Sequence, residues 1–214
     1  MRIHKRLCGA GLVAATLLAG AAWAVPARAA DIVAEWANVK APAAPEVKPV
    51  TADPKTTALL MLDFLQQNCG KRPRCMAEMP AMKKLLDAAR AAGATVIYSA
   101  FGNVPATDII KDVAPAANEP LVHADANKFR NPDLEKMLKD KSIKTVITVG
   151  TGPSGAVLFT AGGAVLRGYN VIVPVDGIAG DDLYAEQFTA WNLVHATPQF
   201  AKLVTLTRSD MIKF

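Results

Sequence analysis

The stretch Lys144–Asp176, KTVITVGTGPSGAVLFTAGGAVLRGYNVIVPVD, decides the fold class. KTVITVG is a short, continuous apolar run; SGAVLFTAGGAVLRG carries apolar residues at helical spacing and closes at Gly168; YNVIVPVD is a second apolar run. A strand, a glycine turn, a helix and a strand in that order make a βαβ unit. The alternation continues outward. Upstream lie TALLML (57–62), a helical AEMPAMKKLLDAARAAG (77–93), ATVIYSA (94–100) and a helical NPDLEKMLKDKS (131–142), which Asn131 or Asp133 could cap. Downstream lie a helical DDLYAEQFTAWNLVHA (181–196), started and capped at Asp181-Asp182, and a last strand, AKLVTLT (201–207). Strand-like runs without a polar face are buried on both sides, which predicts a three-layer α/β/α fold with a mostly parallel open sheet of five or six strands. Ligands of such sheets sit beyond the carboxyl ends of the strands. That rule puts Asp63, Ser99 to Phe101, Gly150 to Gly155 and Asp176 on one edge of the molecule.

Gly150, Gly152 and Gly155 also satisfy G-x-G-x-x-G, and Asp176 stands where a ribose-binding acid would be. The context opposes a dinucleotide site. Two strand–helix units precede these glycines, and roughly 60 residues follow them, too few for the half that holds a nicotinamide. A tight strand-to-helix turn accounts for the glycines without any ligand.

The residues after the turn carry a resemblance. Gly150, Val157, Thr160, Ala161, Ala164, Gly168, Tyr169 and Asp176 fall in register with the isochorismatase-like hydrolases, the superfamily of nicotinamidases and N-carbamoyl amidohydrolases. TALLMLDF resembles that family's first strand with its catalytic aspartate, here Asp63, and KFRNPDLEKMLKDKSIKTVITVG resembles the segment leading into its cysteine-bearing strand. The resemblance spans about residues 57 to 180 and implies the family's fold, a small-molecule substrate and a homo-oligomer. It also exposes departures. The position of the nucleophilic cysteine is Ala156, and Leu65 stands where Gln is frequent. Counting places the family lysine on His123, whereas a small gap brings in Lys128. The histidine cluster that holds zinc in nicotinamidases has no counterpart in YSAFGNVPATD, so neither a metal nor another cofactor is expected.

Without a thiol, Asp63 is the leading candidate for chemistry. A carboxyl at the buried end of a parallel strand is desolvated, which favours its neutral, proton-donating form. The competing role is structural: capping a loop or pairing with Lys128. By resemblance to members that cleave a vinyl ether, Asp63 would protonate carbon and water would add, with Lys128 or His123 assisting. The amides of Gly152 and Ala156 would orient a carbonyl or carboxylate. A non-catalytic binding or scaffold protein on the same fold is the alternative. Ser154 lacks a positioned base and lies two residues from the cysteine position. His195 fits a surface histidine, and Tyr184 and Trp191, seven residues apart, fit packing or subunit contact.

The ends of the chain bound its setting. Arg2, Lys5 and Arg6, an apolar run from Gly9 to Val25 and Ala27-Arg28-Ala29 read as a signal peptide over residues 1–30, implying a periplasmic or secreted protein. No later segment is long and apolar enough to span a bilayer, so no membrane partner is expected after its removal. Residues 1–29 hold four of the 24 Lys and Arg and none of the 19 Asp and Glu. The remainder is nearly neutral, without a basic run suited to nucleic acid. Residues 31–56, with Pro42, Pro45, Pro49 and Pro54, read as an extended N-terminal arm before a domain at 57–214. Cys69 and Cys75 in NCGKRPRC read as a disulfide closing a surface loop, with a thiolate activated by Lys71, Arg72 and Arg74 as the competing reading.

Overall fold

The computed structural model describes residues 30–214, so the expected leader and its cleavage site lie outside the described residues. The chain divides at Pro42 into two units. The described part of the first contains a 3-10 turn, Trp36–Asn38, with Ile32, Val33, Trp36 and Val39 exposed. The second unit, Ala43–Phe214, takes in the latter part of the expected arm. There β1 (Val50–Thr51) pairs in parallel with β8 (Ile212–Lys213).

The main sheet has six parallel strands: β2 (Thr57–Leu62), β3 (Thr95–Ala100), β4 (Leu121–His123), β5 (Thr145–Gly150), β6 (Asn170–Pro174) and β7 (Val204–Thr207). They lie in the order β4-β3-β2-β5-β6-β7. Strand side chains alternate faces, so the two sides of β2 feed separate cores. Leu59 and Met61 pack with Met79, Met82 and Leu86 of α1 (Pro73–Ala91). Ala58, Leu60 and Leu62 share the opposite core with α2 (Pro132–Asp140), α3 (Leu158–Leu166) and α4 (Leu183–His195). Every residue of β2 is buried, as its near-continuous apolar run requires.

Where the sequence runs suggested a single helix over 154–168, the chain first makes a π-helical turn, Pro153–Val157, and only then α3. A short α5 (Pro198–Leu203) occupies the start of the segment expected to be the last strand. The chain moves outward from β2 through β3 to β4, then returns to the far side of β2 as β5. The order in which strands are added therefore reverses between β2 and β5, and the carboxyl ends of these strands are where such a sheet takes a ligand. Dinucleotide folds of this strand order carry their glycine turn after the first strand; here the turn follows β5 and the first strand ends in Asp63.

Candidate active site

Asp63 directly follows β2 and adopts φ +56°, the left-handed region that Asp tolerates better than most side chains. Its backbone N–H donates to the Ser99 carbonyl, so the strand ladder is kept through the bend. Both carboxylate oxygens accept. Ser99 Oγ donates to Oδ1 at 2.9 Å, and Lys128 Nζ donates to Oδ2 at 2.8 Å and to the Ala124 carbonyl at 2.9 Å. Only 8% of the Asp63 side chain and 1% of the Lys128 side chain reach solvent. Taking two ions out of water costs several kcal/mol each, which only such a closely bonded pair offsets.

Lys128 is presented by a 3-10 turn, Lys128–Arg130, whose first N–H groups are satisfied from neighbouring side chains. Asn127 Oδ1 accepts from the Phe129 N–H, and Thr160 Oγ1 of α3 accepts from the Lys128 N–H. The turn and α3 touch closely, since a Cβ on Gly163 would stand 2.9 Å from Asn127 Oδ1. The helix launched by the glycine turn thus holds the lysine segment in place.

The glycine turn leaves β5, the neighbour of β2, and begins beside Asp63, where the Thr151 N–H donates to the Leu62 carbonyl. Gly150 pairs in register with Leu62, and a Cβ there would fall 2.3 Å from the Leu62 carbonyl oxygen. Only glycine fits. Gly152 takes φ +82°, and a Cβ on it would point to within 3.8 Å of Ala156 N. Ala156 sits in the π-helical turn with 6% of its surface exposed. π-helical turns are rare and are frequently found at functional sites.

The isochorismatase domain profile matches residues 57–208. The chain belongs to this family. The fold agrees: an isochorismatase family protein from Burkholderia thailandensis superposes with a TM-score of 0.65 at 19% identity, covering 77% of this chain and 97% of that one. A cysteine hydrolase from Pseudomonas syringae gives 0.65 at 21%, covering 78% and 95%. N-carbamoylsarcosine amidase from Thermoplasma acidophilum gives 0.61 at 21%, covering 72% and 97%. No curated protein matches the chain.

In this isochorismatase domain, Lys128 and not His123 meets Asp63. His123 ends β4 on the surface, where its Nε2 is 2.8 Å from the Val104 carbonyl. Ser154 is exposed. Asp176 is committed elsewhere, accepting from the N–H and hydroxyl of Ser209. His195 stacks on Trp191, and Asp182 caps α4 through the Ala185 N–H. Among the described residues no group of His, Cys, Asp or Glu is arranged to hold a metal ion. Cys69 and Cys75 are joined in a disulfide with Cα atoms 5.4 Å apart. Both sulfurs are buried while Lys71, Pro73 and Arg74 between them are exposed, so the bridge closes a short surface segment, as expected, and pins the start of α1 to the core.

That bridge brackets two arginines that sequence reading left as loop cations. Arg72 donates to Thr151 Oγ1 and pairs with Asp181; Arg74 binds Glu186 through two bonds. Thr151 Oγ1 donates to the Ala179 carbonyl, while Glu78 accepts from the Ala179 N–H. The residues flanking the glycine turn are thus clamped to α1. Glu78 is driven from 4.5 up to about 7, chiefly by burial and further by Glu186 and Asp176, against the opposing Ala179 N–H and Arg74.

Proposed function

We propose that this protein is an exported small-molecule hydrolase that adds water without a cysteine nucleophile. The observation that carries this is the buried Asp63–Lys128 pair at the crevice between β2 and β5. A buried ion pair is weak as a stabilising device, because apolar residues of similar volume serve as well or better. A pair built on a left-handed Asp, at the ligand-binding edge of the sheet, speaks for chemistry. Export is supported by the leader-like residues 1–30 and by the Cys69–Cys75 bridge.

A vinyl ether is the substrate class that suits these residues. A proton passes from Lys128 to Asp63 and on to the terminal alkene carbon, leaving an oxygen-stabilised cation. Water adds to that cation, and one of its protons returns to the Asp63–Lys128 pair. The resulting hemiketal collapses to a carbonyl compound and an alcohol. No thiol takes part, which is consistent with Ala156. The turn at Gly152–Ala156 would orient an anionic group of the substrate.

Ala156 and the engagement of each Asp63 oxygen by a protein donor favour a second reading, a binding protein without turnover. Assay against a panel of small vinyl ethers, esters and amides, beside binding of the same compounds, separates the two. Turnover supports the hydrolase; ligand binding without turnover supports the second reading.

A further inference from the structure

We propose that Arg72 positions the glycine turn and that the Cys69–Cys75 bridge in turn positions Arg72, so that the turn takes its ligand-binding form only in the oxidised protein. This rests on the reading of Gly152–Ala156 as the part of the site that orients an anionic group. Arg72 is the joint between two turns: its N–H donates to the Cys69 carbonyl at 2.9 Å, and its carbonyl accepts from the Met76 N–H at 3.0 Å. The bridge staples one turn to the other across this joint. Local sequence does little to hold it. Arg72 is the N-cap of α1 and gives the helix no side-chain cap, and Arg72 and Arg74 set positive charge at the positive end of the helix dipole. Residues that break a local rule in this way are expected where they serve a site.

The Arg72 side chain reaches from this joint to the end of β5. Nη1 donates to Thr151 Oγ1 at 3.0 Å, and Nε lies 2.8 Å from Asp181 Oδ1. Thr151 is buried, and its hydroxyl proton goes to the Ala179 carbonyl. A hydroxyl has a single proton, so the oxygen's other partner must be a donor, which a guanidinium always is. Gly152 follows directly, and its carbonyl accepts from the Gly155 and Val157 N–H groups. The setting of Thr151 is thus passed to the turn that carries Ala156. Arg74 acts from the other side. It holds Glu186, which accepts from the Gly180 N–H, and Gly180 abuts Pro153, where a Cβ would stand 2.7 Å from Pro153 Cδ. Without the bridge the cysteines remain small apolar residues in the core beneath α1, so the sheet keeps its packing and the loss is local. Closing the bridge takes two electrons and two protons from the thiols. A small disulfide oxidant such as oxidised glutathione accepts both as its own S–S bond breaks to two thiols.

Hydrogen exchange of the full chain, read by mass spectrometry, follows the turn without any substrate. Cys69→Ala/Cys75→Ala and Arg72→Met are each expected to speed exchange over residues 150–158 by about tenfold, with α2, on the other side of the sheet, changed less than about twofold. Arg72→Lys keeps a donor for Thr151 but loses the fork that also reaches Asp181, and is expected to fall between wild type and Arg72→Met. Wild-type protein reduced with dithiothreitol, its two free thiols counted by mass, should match the double variant, and oxidised glutathione should restore slow exchange. This pair decides the matter if the double variant misfolds. For an anionic substrate from the panel, Arg72→Met is expected to raise KM by about tenfold and to change kcat less than about threefold. A panel without turnover counts against the hydrolase reading alone and leaves the exchange result to decide this one. Exchange that rises equally in α2 makes the bridge a global stabiliser and overturns the proposal. Exchange over 150–158 that is unchanged without the bridge, or without Arg72, overturns it equally, as does an Arg72→Met KM equal to that of the wild type.

Discussion

Lys128 Nζ lies 2.8 Å from Asp63 Oδ2, and the two side chains are almost wholly withdrawn from water although 65 residues separate them in the chain. Removing one partner strands the other charge. Lys128→Met is therefore expected to lower the unfolding free energy by about 3–5 kcal/mol, while the double variant Asp63→Asn/Lys128→Met loses markedly less. Asn keeps the left-handed backbone accessible at position 63, so the comparison isolates charge. Urea denaturation monitored by circular dichroism reads both values.

The three glycines of the turn differ in what they require. Gly150→Ala drives a methyl into the Leu62 carbonyl and is expected to cost about 3 kcal/mol or more. A Cβ on Gly155 meets nothing within 4 Å, and Gly155 has no positive φ. Gly155→Ala is expected to change stability by less than about 0.5 kcal/mol. In a dinucleotide fingerprint the third glycine is needed for close helix packing, so thermal unfolding of these two variants also tests the turn's identity.

Glu78 makes stability depend on pH. Its pKa in the folded protein, about 7, lies above the ordinary 4.5, so between these values the folded state binds more protons than the unfolded one. Stability then falls as pH rises through that window. Glu78→Gln removes the buried charge and can still accept from the Ala179 N–H. The variant should gain on the wild type from pH 4.5 to 7 and hold a constant advantage above it. After allowance for the half-buried position of Glu78, about 1–2 kcal/mol is expected. Equal pH profiles for the two proteins would refute this account of Glu78.

Much of the scaffold was legible because its signals are local. The runs at 57–62, 95–100 and 145–150, rich in β-branched and apolar residues and without a charge, are strands buried on both sides. β4 escaped notice because three residues after Pro120 carry no period. The start of α1 was hidden by NCGKRPRC, whose charges read as a loop, yet its cysteines are buried and its helix begins at Pro73. In the site, Asp63 and the glycine turn could be placed from strand ends alone. The choice between His123 and Lys128 could not, because it depends on how the chain turns between β4 and α2. The clamp on Ala179 was invisible for the same reason: Glu78 lies 101 residues away, and no local pattern announces such a contact.

The most direct test is kcat/KM for Asp63→Asn on any vinyl ether, ester or amide that the wild type hydrolyses. If Asp63 is the proton donor, the rate falls by about 100-fold or more while the variant stays folded at the assay temperature. An Asp63→Asn protein that hydrolyses the same compound at the wild-type rate contradicts it.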